Sequence, residues 1–213
     1  MRRLADAAQL STRTLYNLHG AKEDILYALA EESIESLDEV IASLDLSDPL
    51  DRSRALIQVN VDRVCSRSSM FRALLRGLQL AGRHDRDAAL LSRARSSHEQ
   101  ALRAAIDAGL LDPLTCPRLL GHHIMMAYCQ AIRLWAAGML DDDQLRAQSL
   151  HARAIYVQAA ATPQSRDRLQ REARELESSA LAVVERLEKL FASRGLVASR
   201  PLRDRLALDV ATA

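Results

Sequence analysis

Aromatic residues make up only 3% of this 213-residue chain, so its core must be built mainly from Leu, Ala, Ile, Val and Met. Seven glycines and five prolines leave few places for turns. β-branched and aromatic strand formers never alternate over a useful length, which argues against sheet architectures and for an all-α fold. Lysine is nearly missing, with Lys22 and Lys189 the only two, so the positive charge is almost wholly arginine. A net charge of +1 gives no global attraction for a polyanion, and any nucleic-acid binding must depend on a local basic patch. Cys65, Cys116 and Cys129 are odd in number and lack CxxC spacing, which speaks against a disulfide framework and fits a cytoplasmic location. No apolar run follows Met1-Arg2-Arg3, so no signal peptide is read. The most apolar stretch, 119–140, contains His122, His123, Gln130 and Arg133, as a buried helix does and a membrane span does not. GxSxG, HExxH, phosphate-loop and dinucleotide fingerprints are all lacking, so neither an enzyme nor a bound cofactor is expected.

What the chain does have is a succession of helical segments. Residues 2–8 (RRLADAA) have helical composition and break at Gln9-Leu10. Ser11 or Thr12 can cap a second short helix, which His19-Gly20 ends. A long helix follows from Ala21, with an apolar stripe of Leu26, Leu29, Ile34, Leu37, Ile41 and Leu44, and with Glu31, Glu32, Glu35, Asp38 and Glu39 largely opposite. Asp48-Pro49 stops it. Further helices are expected near 50–65, 68–82, 86–109, 115–139, 142–161 and 164–194. In the last, Leu169, Leu176, Val183 and Leu190 repeat in heptads with Ala173, Ala180 and Leu187, consistent with packing on its own domain or with a self-pairing coiled coil. Three units result: 1–24, a helix-turn-helix segment; 25–162, a helical ligand-binding and dimerisation domain; and 163–213, a C-terminal extension.

The stretch LSTRTLYNLHGAKEDIL, residues 10–26, is the most specific. In a helix-turn-helix the second helix enters the major groove with its N-terminal residues at base edges, while flanking groups hold phosphates. That places Thr12, Arg13 and Thr14 at the leading end, Tyr16 and Asn17 one turn on, and Lys22 against the backbone. Over the first 22 residues, Arg2, Arg3, Arg13 and Lys22 face only Asp6, so the basic charge gathers at the reading unit.

The segment RRLADAAQLSTRTLYNLHGAKEDIL resembles the DNA-binding region of the TetR/AcrR family of bacterial transcriptional regulators, with Ala8, Leu10, Ser11, Thr14, Leu15, Tyr16, Lys22, Glu23 and Leu26 in register. The helices near 115–139 and 142–161 more loosely resemble the closing pair of that family's regulatory domain. The resemblance implies a ligand-responsive regulator, in the usual case a repressor, that binds a palindromic double-stranded DNA operator as a homodimer. The dimer would form through those two helices, and a small apolar or amphipathic effector would release the DNA. Carried over by position, Arg2, Thr12, Arg13, Tyr16 and Asn17 match places of base or nearby backbone contact, and Ser11, Thr14 and Lys22 match phosphate-side places. Gln9 stands for a turn glycine, His19 for a core Phe and Ala21 for a capping Ser. The family's head also has a complete helix ahead of this pair, which the resemblance does not find here. Two explanations stand: a start codon placed too late, or a truncated gene. In-frame translation of the upstream DNA separates them, and weak operator binding is expected of this polypeptide. The alternative function is a non-DNA-binding helical interaction or dimerisation partner.

Pockets in helical bodies are apolar with a few polar groups. By that criterion the candidate pocket residues are His122, Met125, Met126, Cys129 and Gln130, with Met70 and Phe71 as another wall. The candidate dimer interface is Ile132, Trp135, Met139, Leu145, Ile155 and Tyr156. His122, Met126 and Cys129 share a helical face of the kind a soft metal uses, but nothing completes a ligand set, and no metal is expected.

Overall fold

The structure is a computed structural model that describes residue 6 and residues 9–193, leaving aside the side chain of Leu15. These residues form eight helices: α1 (Thr12–His19), α2 (Lys22–Ser43), α3 (Pro49–Ser66), α4 (Ser68–Ala81), α5 (His84–Asp107), α6 (Pro117–Ala136), α7 (Asp142–Ala159) and α8 (Pro163–Ser193). The all-α class follows, and each helix lies within a few residues of its sequence-derived range. None of these helices is long and apolar enough to cross a membrane.

Capping residues fix the boundaries. Asp48 accepts N–H bonds from Leu50 (2.7 Å) and Asp51 (3.4 Å) with Pro49 in the first turn of α3, so the dipeptide read as a stop for one helix also starts the next. Asp141 and Gln144 form a reciprocal capping box on α7, at 2.9 and 3.1 Å. The α5–α6 and α7–α8 connections are fastened by an antiparallel bridge between Leu111 and Ala161. The Thr162 and Ser165 hydroxyls donate to the Leu110 carbonyl beside it.

One large apolar cluster runs through α3, α4, α5, α6, α7 and α8, taking in Val61, Phe71, Leu102, Ile124, Trp135, Leu145, Val157, Leu169 and Val183. The heptad residues Leu169, Ala173, Ala180 and Val183 are buried against the protomer itself, so α8 packs on its own body. A smaller cluster of Leu37, Ile41, Leu56 and Ala101 joins α2 to α3 and α5. The predicted stripe of α2 is displaced. Leu29 and Leu44 are exposed, whereas Tyr27 is fully buried, because α2 crosses α4 where Gly77 lets Leu26 approach. A Cβ at Gly77 would meet Leu26 Cδ1 at 2.6 Å.

Among the apolar layers lies a charge. Arg153 of α7 is fully buried, and its Nη1 donates to both carboxylate oxygens of Glu172 on α8 at 2.8 Å. Its Nη2 donates to the Leu50 carbonyl at 2.7 Å, and its Nε to Ser53 Oγ at 3.4 Å. Three helices thus converge on one guanidinium. Removing one partner of such a pair leaves an unbalanced buried charge, typically costing about 3–5 kcal/mol, whereas replacing both with apolar groups is often neutral. Glu172→Leu is therefore expected to lose stability on that scale in urea unfolding followed by circular dichroism. Arg153→Met with Glu172→Leu should recover most of it, and a single variant costing under about 1 kcal/mol would contradict the role given to the pair.

Candidate functional site

The N-terminal candidate surface is built around α1. Ser11 caps it, its Oγ accepting from the Thr14 N–H at 3.0 Å and lying 2.7 Å from Thr14 Oγ1. These two hydroxyls, matched by resemblance to phosphate-side places, are engaged with each other. Arg13, Tyr16 and Asn17 are exposed and Thr12 is partly so. At helical spacing these four form one outward surface, beginning at the helix's N-terminal end. Lys22 is exposed at the start of α2. Arg2 lies outside the described residues.

The three substitutions noted in the sequence have distinct local consequences. Gln9 takes a left-handed backbone, φ +55°, which costs a non-glycine residue roughly 1 kcal/mol. His19 is exposed, and Leu18 beside it is 63% exposed. Ala21 offers α2 no side-chain acceptor, yet half of a capping box remains, because Asp24 Oδ2 accepts the Ala21 N–H at 2.9 Å. Gly20, at φ +73°, leaves room for that carboxylate, since a Cβ there would lie 2.7 Å from Asp24 Oδ2.

From this unit α2 descends beside α5, and the seam between them is polar. Asp24 pairs with Arg83 and Arg86, both at 2.8 Å. Arg86 also reaches Glu31 at 3.4 Å, Arg93 pairs with Glu35, and Ser97 Oγ donates to Asp38 at 2.5 Å. Tyr27 adds an anchor: its hydroxyl donates to Asp87 Oδ1 at 2.7 Å, and the Arg86 guanidinium lies 4.5 Å over its ring. The backbone bond from Ala21, together with the neighbouring Arg83 and Arg86, holds the Asp24 carboxyl below the ordinary range against the opposing effect of desolvation. The sequence pattern placed Glu31, Glu35 and Asp38 opposite the apolar stripe of α2 and gave them no partner. The signal that would have found the seam was the match between acids at 24, 31, 35 and 38 and their partners at 83, 86, 93 and 97.

At its lower end the seam borders a cavity of about 40 Å³ between α2, α3, α5 and α6. Its lining includes apolar Leu37, Leu56 and Met125 and polar Ser33, Asp38, Asn60, Ser97 and His98. Beside it runs a solvent-facing groove of about 380 Å³ that shares Asp38, Leu56 and Ser97 and adds Arg52 and Arg93.

Of the sequence-derived pocket residues, only Met125 lines this cavity. Met126, at 45% exposure, and Gln130 lie on the outward face of α6. Met70 is exposed, Phe71 belongs to the core, and His122 and Cys129 are half-buried. The reason is helical phase: α6 turns Leu120, Ile124, Tyr128, Ala131 and Trp135 inward, which rotates Met126 and Gln130 away. The dimer set also divides. Ile155 and Tyr156 are exposed, the latter stacked on His123 with ring centroids 5.7 Å apart, and Met139 is half-buried. Ile132, Trp135 and Leu145 are instead core positions of the protomer. Trp135 has no exposed surface: its indole donates to Asp142 at 2.7 Å and Arg72 covers its ring. The exposed apolar surface of the two helices is Leu119, Met126, Ile155 and Tyr156. No family model, curated protein or solved structure matches the chain.

His98 is buried, and its Nδ1 has no hydrogen-bond partner. Burial, with a further push from Arg153, lowers its pKa from 6.5 to about 4. A depressed histidine leaves stability intact above about pH 6.5; below that the unfolded chain takes up the proton first, until the native imidazole also protonates near pH 4. Unfolding free energy should therefore fall by up to roughly 3 kcal/mol across that window. The His98→Gln variant should lose this part of the pH dependence, and superimposable pH profiles for variant and parent would rule it out.

Proposed function

We propose that this chain is a ligand-responsive DNA-binding transcriptional regulator of the TetR/AcrR type, acting in the usual case as a repressor. It reads a palindromic operator through α1 as a homodimer. The observation that carries this reading is the exposed surface of Thr12, Arg13, Tyr16 and Asn17 at the leading end of a capped helix. A helix so presented can place Arg13 bidentate on a guanine edge and Thr12 or Asn17 on neighbouring edges, while Lys22 meets a phosphate. The outward faces of α6 and α7 supply the dimer contact. Leu119, Met126, Ile155 and Tyr156 offer apolar surface of the kind that associating faces bury. The polar α2–α5 seam is the route by which occupancy of the body alters the spacing of two reading heads, since a ligand acts only through a difference in affinity between two arrangements.

A second reading, a dimerisation partner that does not bind DNA, is favoured by the thin cover of α1, where Leu10 and Leu18 are exposed beside Tyr16. Gel shifts at two salt concentrations separate the readings. A regulator prefers one palindrome over random DNA and loses affinity steeply with salt, whereas an interaction module shows no preference. With a preferred site in hand, Arg13→Ala should cost about 1–3 kcal/mol and relax specificity at one base pair. Lys22→Ala should weaken all sequences similarly and reduce the salt slope by about one. Ile155→Arg, at a position 46% exposed, should leave the fold intact and convert a dimer to monomer in sedimentation velocity. A dimer that persists in this variant would remove α7 from the interface.

A further inference from the structure

The cavity beneath the α2–α5 seam combines features that ordinary packing does not require. Five polar side chains, Ser33, Asp38, Asn60, Ser97 and His98, meet apolar residues such as Leu56 in a space of about 40 Å³, room for a few waters at roughly 10–15 Å³ each. His98 is 4% exposed and its Nδ1 is unpartnered, and leaving a buried polar group unsatisfied is costly unless something else bonds it. A neutral imidazole offers one lone pair, and Asp38 and the Asn60 amide oxygen offer more. The inner cavity is thus rich in hydrogen-bond acceptors and holds one carboxylate. Through Asp38, Leu56 and Ser97 it continues into the groove of about 380 Å³, where the charged groups added are guanidinium groups, those of Arg52 and Arg93. Arg93 is paired with Glu35, and Arg52 is exposed on α3.

We infer that the two connected spaces form one binding site for a small zwitterion of the ω-amino-acid class, its ammonium group in the inner cavity at Asp38, Asn60 and His98 and its carboxylate in the groove on Arg52. The methylene chain between the two ends lies against Leu56, the apolar residue both spaces share. An amine without a carboxylate leaves Arg52 unused, and a carboxylate without an amine leaves the inner acceptors unsatisfied. Selectivity thus requires both ends, and because a site built to hydrogen-bond a group discriminates strongly against analogues lacking it, the difference should be large. The site needs no DNA to form. In the regulator proposed above it would be the effector site, because Asp38 and Ser97 are themselves a rung of the α2–α5 seam, and an ammonium group on Asp38 competes with the Ser97 hydroxyl.

The test is isothermal titration calorimetry on the full chain with γ-aminobutyrate and δ-aminovalerate, against butylamine and butyrate. At least one zwitterion should bind, with each single-ended analogue weaker by roughly tenfold or more. Asp38→Asn, which keeps an acceptor for Ser97, and Arg52→Gln, at an exposed position, should each weaken the zwitterion by a similar factor with an unchanged circular dichroism spectrum. No heat from either zwitterion at millimolar concentration, an analogue that binds equally well, or variants that bind like the parent would each overturn the site. Gel shifts on the same preparations keep the two readings apart. Sequence-preferring DNA binding without zwitterion binding refutes the site alone. Zwitterion binding in a protein with no DNA preference refutes the regulator and leaves the site standing.

Discussion

A guanidinium with no exposed surface must have its charge balanced inside the protein, and that requirement organises this molecule. Arg153 obtains a carboxylate from α8 and a carbonyl from the first turn of α3, so loss of α8 would strand a buried charge and loss of α3 a buried donor. Arg168 of α8 repeats the connection at the surface through Asp48 and Asp51, the residues that begin α3. What read in sequence as an appended helix is therefore integral, its apolar face continuous with the central core and its acidic residue fastened to the centre of the body. The same buried charge acts on His98, which it helps to keep deprotonated.

The molecule joins its helices by two different kinds of seam. Apart from the Arg153–Glu172 pair, the contacts among α5, α6, α7 and α8 are mainly apolar and interlocked, with Leu102, Ile124, Leu145, Val157 and Leu169 all buried together. Such packing has few alternative arrangements. The contact between α2 and α5 is mostly ionic, along side chains that are a quarter to a half exposed. Exposed pairs contribute little each, in the range of about 0–1 kcal/mol, so the seam can shift register at modest cost. Tyr27, buried and bonded to Asp87, holds it more firmly at one end, as Leu37 and Ile41 packed on Ala101 do at the other. A stiff body and a compliant arm are what a protein needs if occupancy of one part is to move another.

Much of this was legible in the residues. Sparse glycine, proline and aromatics, with apolar periodicity, led to nine helical segments; the one at 2–8 lies outside the described residues, and the other eight agree because Asp48-Pro49, Asp141 and Gly20 carry their own capping chemistry. What periodicity could not supply was phase within a helix that is apolar on more than one side. In α6 the inward arc and the outward arc both carry large apolar residues, so Met126 was read as pocket and Trp135 as interface, whereas packing turns Met126 outward and Trp135 into the core. Complementarity was missed for a related reason. Acids on α2 and arginines on α5 are each unremarkable alone, and only their pairing across 55 to 62 residues of chain gives them a role. The outward surface of α1 was readable because cap, spacing and residue type coincide within a dozen positions. The cavity at His98 was not, since its walls come from four helices.

The ionic character of the α2–α5 seam bears on how such a protein responds to its medium. Mobile ions weaken exposed pairs and phosphate contacts together, with a screening length of about 8 Å at physiological ionic strength. In the regulator proposed above, added salt would therefore act on DNA affinity twice, once by competing at the phosphates and once by loosening Asp24 from Arg83 and Arg86, next to α1. A log–log salt plot of binding would then be steeper than the number of phosphates touched, and the excess would measure how firmly the arm is clasped. By the same reasoning ionic strength alone alters how firmly α2 is clasped to α5, with nothing bound.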